Sequence, residues 1–163
     1  MNDFHYRNAV SSDLQDLVLL EEQAFSSDRL SLRRFKHWLK ADNCLFKVAE
    51  YDGRLAAYGL VLLHKGTRLA RLYSMAVTPE ARGKGIAKHL LISLEEDAVS
   101  DGRLFMRLEV SVNNTTAITL YRKLGYRKFG EYENYYQDHS DALRMHKRIR
   151  HLAGSFVHPD IPW

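Results

Sequence analysis

The segment from Arg82 to Ala87 combines residue types that indicate one kind of chemistry, the binding of a phosphate-rich group. An apolar stretch ends at Val77, a glycine-containing loop follows, and helical spacing of apolar residues begins after Gly85. The first N–H groups of a helix have no acceptor within the helix, and together with the helix dipole they attract anions. Arg82 and Lys84 add positive charge to the same loop. The segment therefore predicts a site for a pyrophosphate group.

The spacing of the glycines separates this loop from two other phosphate-binding motifs. A dinucleotide-binding Gly-x-Gly-x-x-Gly motif that began at Gly83 would need a third glycine where Lys88 stands. A P-loop of the form Gly-x-x-x-x-Gly-Lys-Ser/Thr does not occur in the chain. The pattern that fits is Arg-x-x-Gly-x-Ala, formed by Arg82, Gly85 and Ala87. Taken alone, these six residues are equally compatible with an ordinary helix start that contains glycine.

Two residues farther along the chain have side chains suited to proton transfer. Glu109 interrupts an apolar run between Leu108 and Val110, and Tyr121 lies on the apolar face of a short helix that Asn114 would cap. A carboxylate can act as a general base and a phenol as a general acid. An outward-facing charge, a core tyrosine and a simple helix cap are the alternative interpretations of the same three residues.

Hydrophobic periodicity predicts strands and helices in the order β-α-α-β-β-β-α-β-α-β-β. Ser12 and Gln15 predict a capping box at the start of the first helix. The helix after the glycine loop connects two strands, so these strands are expected to run parallel. The expected fold is α/β (α+β), with a single mixed, mostly antiparallel sheet and helices on both faces. The predicted segments nearest the candidate residues are strands 68–77 and 105–110, helix 85–100, and a hairpin of 127–136 with 142–148.

The composition indicates one ordinary globular domain. Of the 163 residues, 45% are hydrophobic and 27% charged, which is usual for a soluble protein with a full core. No apolar run approaches the roughly 20 residues that span a bilayer, and no signal peptide is visible. We therefore expect a cytoplasmic protein without membrane contact. A single cysteine, Cys44, rules out an internal disulfide.

Charge and histidine content exclude further classes of function. The chain has 24 basic and 20 acidic residues, a net charge of +4, which suits a phosphate-rich ligand without arguing for nucleic acid. None of the eight histidines has metal-binding helical spacing with a carboxylate partner, so we expect no metal.

Residues 1–148 are predicted to form the domain, and residues 149–163 a C-terminal tail of unclear role.

Arg82, Gly85 and Ala87 together resemble the acetyl-coenzyme A loop of the GNAT superfamily of N-acetyltransferases. Within that superfamily, the second half of the chain resembles the bacterial ribosomal-protein alanine N-acetyltransferase group. This resemblance implies the GNAT fold, in which a central pair of parallel strands splays apart. It also implies direct transfer of an acetyl group from acetyl-coenzyme A to a primary amine. The residues that carry it are Leu108-Glu-Val110, Asn114, Ala117-Ile118, Leu120-Tyr121, Leu124-Gly-Tyr126, Asn134-Tyr135-Tyr136 and Asp141-Ala142-Leu143.

The same resemblance implies a role for each site residue. Glu109 is the implied general base, and Tyr121 is the implied general acid near the sulfur of the coenzyme. Tyr135 and Tyr136 are expected to border the acceptor together with Glu109, with cross-strand aromatic packing as the alternative interpretation. The end of strand 68–77 would hold the pantetheine arm through its main chain. Lys123 and Arg122 are candidates to meet the 3′-phosphate, and simple solvated charges are the alternative interpretation of both. The implied coenzyme-binding residues are Met75, Ala76, Val77, Arg82, Gly83, Lys84, Gly85, Ile86, Ala87, Asn114, Tyr121 and Lys123.

The acceptor is less well specified, because the chain departs from the group's pattern at two positions and in one stretch. The stretch Asp28-Arg-Leu-Ser31 replaces a more proline-rich entry to the second helix. Ser111 stands where that group usually carries Arg, and Asn113 where it usually carries Ser. A protein or peptide N-terminus is the first expectation, while lysine side chains, small amines and aminoglycosides stay open. Glu21 and Glu22 could face a cationic acceptor, although an exposed acidic helix face explains them as well. An acyl-coenzyme A-binding sensor or regulatory module without transferase activity is the alternative class, and both a monomer and a homodimer are compatible with the sequence.

Overall fold

The computed structural model describes residues 4–150, and their element order confirms the predicted one. Short 3-10 turns at 11–13 and 79–81 precede α1 and the glycine loop. The elements are β1 (Phe4–Asn8), α1 (Leu14–Ala24), α2 (Leu32–Lys40), β2 (Cys44–Tyr51), β3 (Arg54–Leu63), β4 (Leu69–Val77), α3 (Ile86–Ser100), β5 (Phe105–Ser111), α4 (Thr115–Lys123), β6 (Arg127–Tyr132) and β7 (Ala142–Arg148).

The strands form one seven-stranded sheet in the order β1-β2-β3-β4-β5-β7-β6. Neighbouring strands are antiparallel except for β4 and β5, which are parallel. The pairing of β4 with β5 ends at Leu72 and Leu108, although β4 continues to Val77 and β5 to Ser111. The predicted mixed sheet with a central parallel pair that splays apart is therefore confirmed.

A β-bulge lies at the place where the two parallel strands separate. On the β3 side, Leu60 pairs with Ser74 while Val61 pairs with Leu72, so Tyr73 is an extra residue in β4. A bulge bends its strand and increases the local twist. Because β4 bends directly after its last pair with β5, the two strands diverge and leave an opening in the sheet.

Helices cover both faces of the sheet, as predicted, and each face has its own core. Gly59 in the middle of β3 allows α3 to approach closely, because a Cβ atom there would lie 2.5 Å from Cδ1 of Leu94. The core under α1 and α2 includes Leu17, Leu20, Phe35, Val48, Tyr58 and Leu60. The core under α3 and α4 includes Ile86, Leu90, Leu94, Met106, Leu108, Ile118 and Tyr121.

Asp13 organises the start of α1. Its carboxylate accepts the Val10 N–H at 2.8 Å and forms two hydrogen bonds of 2.8 Å with the guanidinium of Arg7. The predicted capping box of Ser12 is wrong, because Ser12 lies inside the 3-10 turn and not at the extended residue that precedes a helix.

The described residues end shortly after β7. The N–H of Ile149 donates to the carbonyl of Leu104 at 2.9 Å, and its side chain packs against the core under α3. Most of the predicted tail, residues 151–163, lies outside the described residues, as do residues 1–3. Between residues 4 and 150, no helix is long and apolar enough to cross a membrane.

Candidate active site

The glycine loop leads into α3 through two residues with left-handed backbone. Gly83 has φ 79° and Gly85 has φ 80°, a conformation that glycine adopts without the steric cost other residues meet. Gly85 is the residue before the first turn of α3, while Ile86 is 1% exposed and fixes that turn to the core. The side chains of Arg82 and Lys84 are exposed. The N-terminus of α3 and the cations of Arg82 and Lys84 thus belong to one short segment, a combination that attracts anions.

The strand that precedes this loop has one edge without a strand partner. Met75, Ala76 and Val77 pair with β3, but the pairing with β5 has already ended at Leu72. The β5-facing edge of this segment therefore borders the opening in the sheet. An extended molecule with amide groups could hydrogen-bond along such an edge as an added strand would.

A cavity of about 320 Å³ lies on the α1 and α2 side of the opening. Its walls come from the segment between α1 and α2, from β4 and β5, and from the loop between β6 and β7. It contains the three predicted substrate residues Glu109, Tyr135 and Tyr136. The full lining is Asp28, Arg29, Leu30, Ser31, Arg34, Arg71, Tyr73, Ser74, Glu109, Tyr135 and Tyr136.

Glu109 faces this cavity with a nearly buried side chain, 8% exposed. Its Oε2 atom accepts a hydrogen bond of 3.1 Å from Nε of Arg71, and Arg71 also donates to the Tyr135 hydroxyl at 3.3 Å. The rings of Tyr135 and Tyr136 stack at 5.0 Å with 15° between their planes. Both tyrosines lie in the β6–β7 loop, past the end of β6 at Tyr132, so the predicted strand through 136 is too long.

Tyr121 is buried in the core behind the cavity, with 8% of its surface exposed. Burial raises the pKa of its phenol to about 12. Its ring meets Tyr126 edge-on at 5.8 Å, and Tyr126 donates to Oε2 of Glu95 at 2.6 Å. Burial also raises the pKa of Tyr136, with further contributions from Tyr135, Glu109 and Tyr121. Tyr136 therefore lies within electrostatic reach of both residues expected to move protons.

Of the other coenzyme-binding candidates, Ala87 lies in the first turn of α3, while Asn114 and Lys123 lie at opposite ends of α4. Asn114 caps the helix, because its side-chain oxygen accepts the Ala117 N–H at 3.2 Å. Lys123 is exposed in the last turn, where a cation also complements the helix dipole. The capping role of Asn114 is thus confirmed, while its contact with a coenzyme stays a prediction.

Three cavity residues of β4 escaped the sequence reasoning, namely Arg71, Tyr73 and Ser74. Arg71 interrupts an apolar strand as Glu109 does, and that similarity is the one signal that could have identified it. The pairing of these two side chains depends on the register between β4 and β5, in which Arg71 lies opposite Arg107. A register across a crossover helix cannot be read from local patterns.

Both interpretations of Glu21, as an acceptor contact and as part of an exposed acidic face, are wrong because the residue is buried, whereas Glu22 is exposed. Its side chain is 1% exposed and accepts hydrogen bonds of 2.6 Å from the Tyr58 hydroxyl and from the Leu30 N–H. The Tyr58 hydroxyl oxygen in turn lies 2.6 Å from Oγ of Ser74. Burial raises the pKa of Glu21. Glu21 therefore fixes the α1–α2 segment that forms one wall of the cavity.

Other reactive groups lie away from the cavity. Within residues 4–150, no cluster of three or more histidine, cysteine or acidic side chains is arranged to hold a metal ion. The Cys44 thiol donates to the carbonyl of Trp38 at 3.2 Å, and burial raises its pKa. The chemistry available in the described site is that of carboxylate, phenol and guanidinium groups.

The chain belongs to the acetyltransferase (GNAT) family, whose sequence model matches residues 12–126. The predicted family and enzyme class are thereby confirmed.

Relatives cover nearly the whole chain. An uncharacterized N-acetyltransferase of Methanocaldococcus jannaschii is 33% identical over 152 residues, covering 93% of this chain and 96% of that protein. An N-alpha-acetyltransferase of Saccharolobus solfataricus is 30% identical over 154 residues, covering 88% and 92%. The crystal structure of the ribosomal-protein-S18-alanine N-acetyltransferase of Escherichia coli has a TM-score of 0.84 at 24% identity, covering 96% of this chain and all of that one. A putative ribosomal protein bS18-alanine N-acetyltransferase of Bacillus subtilis is 30% identical over 141 residues, covering 85% of this chain and 91% of that protein. This relative confirms the predicted resemblance to the ribosomal-protein alanine group, and the crystal structure confirms the fold.

Proposed function

We propose that the protein transfers an acetyl group from acetyl-coenzyme A directly to the N-terminal amine of a protein or peptide. One observation carries the proposal. The sheet opens after Leu72 and Leu108, with Glu109 beside the opening and the glycine loop beyond the end of β4. A donor held along β4 would thus have its phosphates at α3 and its reactive end near Glu109.

The residues at the end of β4, in the glycine loop and at the N-terminus of α3 fit acetyl-coenzyme A. The first N–H groups of α3, with Arg82 and Lys84, suit the pyrophosphate. The unpaired edge of Met75, Ala76 and Val77 suits the amide groups of the pantetheine arm. The remaining candidates around it are Gly83, Gly85, Ile86, Ala87, Asn114 and Lys123. When bound, the coenzyme supplies an acetyl thioester.

Glu109 and Tyr121 would handle the two protons of the reaction. An α-amine with a pKa near 8 is mostly protonated at neutral pH, so it must lose a proton before it can attack. Glu109 accepts that proton as the N–C bond forms. Tyr121 stays protonated at neutral pH, because its pKa is raised to about 12, and donates to the sulfur as the C–S bond breaks. Each group is expected to contribute about 10²- to 10⁴-fold in rate.

The open cavity and the kinds of relatives support a peptide acceptor. The cavity lies between two loops, and the exposed Tyr135 in the second of them, 39% exposed, offers a surface for an extended chain. One relative is named an N-alpha-acetyltransferase, and a neighbouring structure is named a ribosomal-protein alanine N-acetyltransferase. These names favour α-amines over lysine side chains as the starting point for a screen.

The proposal is tested by a screen of acceptor peptides with acetyl-coenzyme A, read by mass spectrometry. Each peptide is offered with a free N-terminus and, as its control, with that terminus blocked while an internal lysine stays free. We expect acetylation of the free peptide at its α-amine. Transfer to the lysine of blocked peptides would instead assign a lysine acetyltransferase. Calorimetric binding of acetyl-coenzyme A without transfer to any amine would assign a sensor module.

A further inference from the structure

The acceptor cavity has an excess of positive charge. Three guanidinium groups line it, those of Arg29, Arg34 and Arg71, against two carboxylates, those of Asp28 and Glu109. A cavity built for a lysine or a polyamine would be expected to show the opposite balance, because like charges brought together oppose binding. The charge of the cavity thus carries information about the acceptor.

The two carboxylates of the cavity already have partners. Asp28 accepts the backbone N–H of Gln137 at 3.2 and 3.3 Å, a contact that joins the α1–α2 segment to the β6–β7 loop. Glu109 is paired with Arg71 at 3.1 Å. The N–H of Gln137 holds the Asp28 carboxylate in place without cancelling its charge, whereas Arg71 balances the charge of Glu109. Two guanidinium groups, those of Arg29 and Arg34, therefore face one uncompensated carboxylate, that of Asp28.

The arginines are less fully neutralised. Arg29 donates to the carbonyls of Phe25 and Glu22, which hold its guanidinium in place but do not cancel its charge. Arg34 is exposed and forms no ion pair with a carboxylate among residues 4–150. Arg71 is one-quarter exposed, at 25%, and its only acidic partner within that range is Glu109. An incoming carboxylate would find one guanidinium group without an acidic partner, at Arg34, and would compete with Glu109 for Arg71.

We propose that the acceptor is a peptide N-terminus followed by an acidic side chain, whose carboxylate pairs with Arg71 and Arg34. This inference rests on the proposed function and specifies its substrate. The acceptor carboxylate replaces Glu109 as the partner of Arg71. Because Glu109 is then released from its ion pair, its oxygen becomes available to the amine that the same peptide brings in. An acidic acceptor would therefore make Glu109 available as the base when it binds.

The test compares peptides that are identical except for Asp, Asn or Lys at the second position. A hydrogen-bonded pair with a charged group is worth about 10- to 100-fold in affinity, so kcat/KM for the Asp peptide should exceed that for the Asn peptide by about this factor. The Lys peptide should be the poorest acceptor. Added salt should reduce the difference, since it screens partly exposed charges.

Two variants and two matched controls assign the preference to particular residues. Arg71→Gln and Arg34→Gln should each lower the Asp-to-Asn ratio of kcat/KM toward one, and any general loss of rate cancels in that ratio. Arg68→Gln in the β3–β4 turn and Arg33→Gln beside Arg34 are exposed and lie outside the cavity, so both should keep the full ratio. If Arg71 and Arg34 had a purely structural role, the Asp-to-Asn ratio would not be lost in their variants alone and kept in the two controls.

Three results would overturn the inference. Equal kcat/KM for the Asp and Asn peptides would refute the acidic preference and leave the proposed function intact. A preference that survives in both Arg71→Gln and Arg34→Gln would show that other groups read the acidic residue. Absence of transfer to every peptide would remove the proposed function and this inference together.

Discussion

Gly83 and Gly66 form a natural pair for testing the anion site. Both have φ 79°, and a Cβ atom added to either would have no neighbour within 4 Å. Alanine in this left-handed conformation costs about 1–2 kcal/mol, partly offset by the smaller entropy of the unfolded chain. Gly83→Ala and Gly66→Ala should therefore both lower the free energy of unfolding by about 1 kcal/mol, which is a fall in Tm of about 2–4 °C.

The two variants should differ in coenzyme binding. Gly83 lies in the loop before α3, while Gly66 lies in the β3–β4 turn. A methyl group on Gly83 enters the open space assigned to the pyrophosphate and displaces at least one charge-assisted hydrogen bond. Such a bond is worth about 1.5–3 kcal/mol, so the Kd for coenzyme A should rise by about 10- to 100-fold. The Kd of Gly66→Ala should equal that of the wild type.

Calorimetric titration with coenzyme A, combined with thermal unfolding of each variant, supplies both quantities. The unfolding data establish that the two substitutions are equally tolerated. Equal Kd values for the two variants would refute the assignment of the phosphates to this loop. A large loss of binding in Gly66→Ala would instead indicate that the loss in Gly83→Ala reflects general instability.

Three further predictions concern other parts of the fold. Asp13→Asn should lower the free energy of unfolding by about 1–3 kcal/mol at neutral pH. Arg7 holds the pKa of Asp13 below its usual 3.8, so this stabilisation is lost as the pH falls through the lowered pKa, and urea titrations of variant and wild type should converge in strong acid. Tyr121→Phe should lower kcat about 10²-fold or more with an unchanged Kd for coenzyme A. The wild-type rate should not fall through ionisation of the Tyr121 phenol until about pH 12. A kcat equal to that of the wild type would show that Tyr121 is not the acid. Asn114→Ala should cost about 1 kcal/mol of stability, and Asn114→Ser should restore the stability but not the KM for acetyl-coenzyme A. Restoration of both would reduce Asn114 to a helix cap.

Local patterns were sufficient to predict most of the fold. Periodic apolar residues and turn residues marked the strands and helices, and the strand–helix–strand order around α3 predicted that β4 and β5 run parallel. The glycine loop was predicted because its spacing lies within one short segment, and the structure adds that Gly83 and Gly85 both have positive φ. Features of this kind depend on neighbours in sequence, so a single sequence contains them.

The features that were missed depend on contacts between distant segments. Arg71 and Glu109 are 38 residues apart and meet through Nε and Oε2. Glu21 looks like part of an exposed acidic face in the sequence, yet Tyr58, 37 residues away, provides its buried partner. The contact of Asp13 with Arg7 spans only six residues, but it depends on how β1 packs against the start of α1. Each outcome required the register or the packing of elements, which local periodicity does not specify.

The central claim, that Glu109 takes the proton of the acceptor amine, is tested most directly by the pH profile of kcat/KM for Glu109→Gln. Glu96→Gln, an exposed substitution on α3, serves as the matched control. The account predicts that Glu109→Gln loses about 10²- to 10⁴-fold at neutral pH and recovers as the pH rises past about 8, where the amine deprotonates without help. The control should follow the wild type throughout. A Glu109→Gln profile that coincides with the wild type from neutral to alkaline pH would contradict the claim.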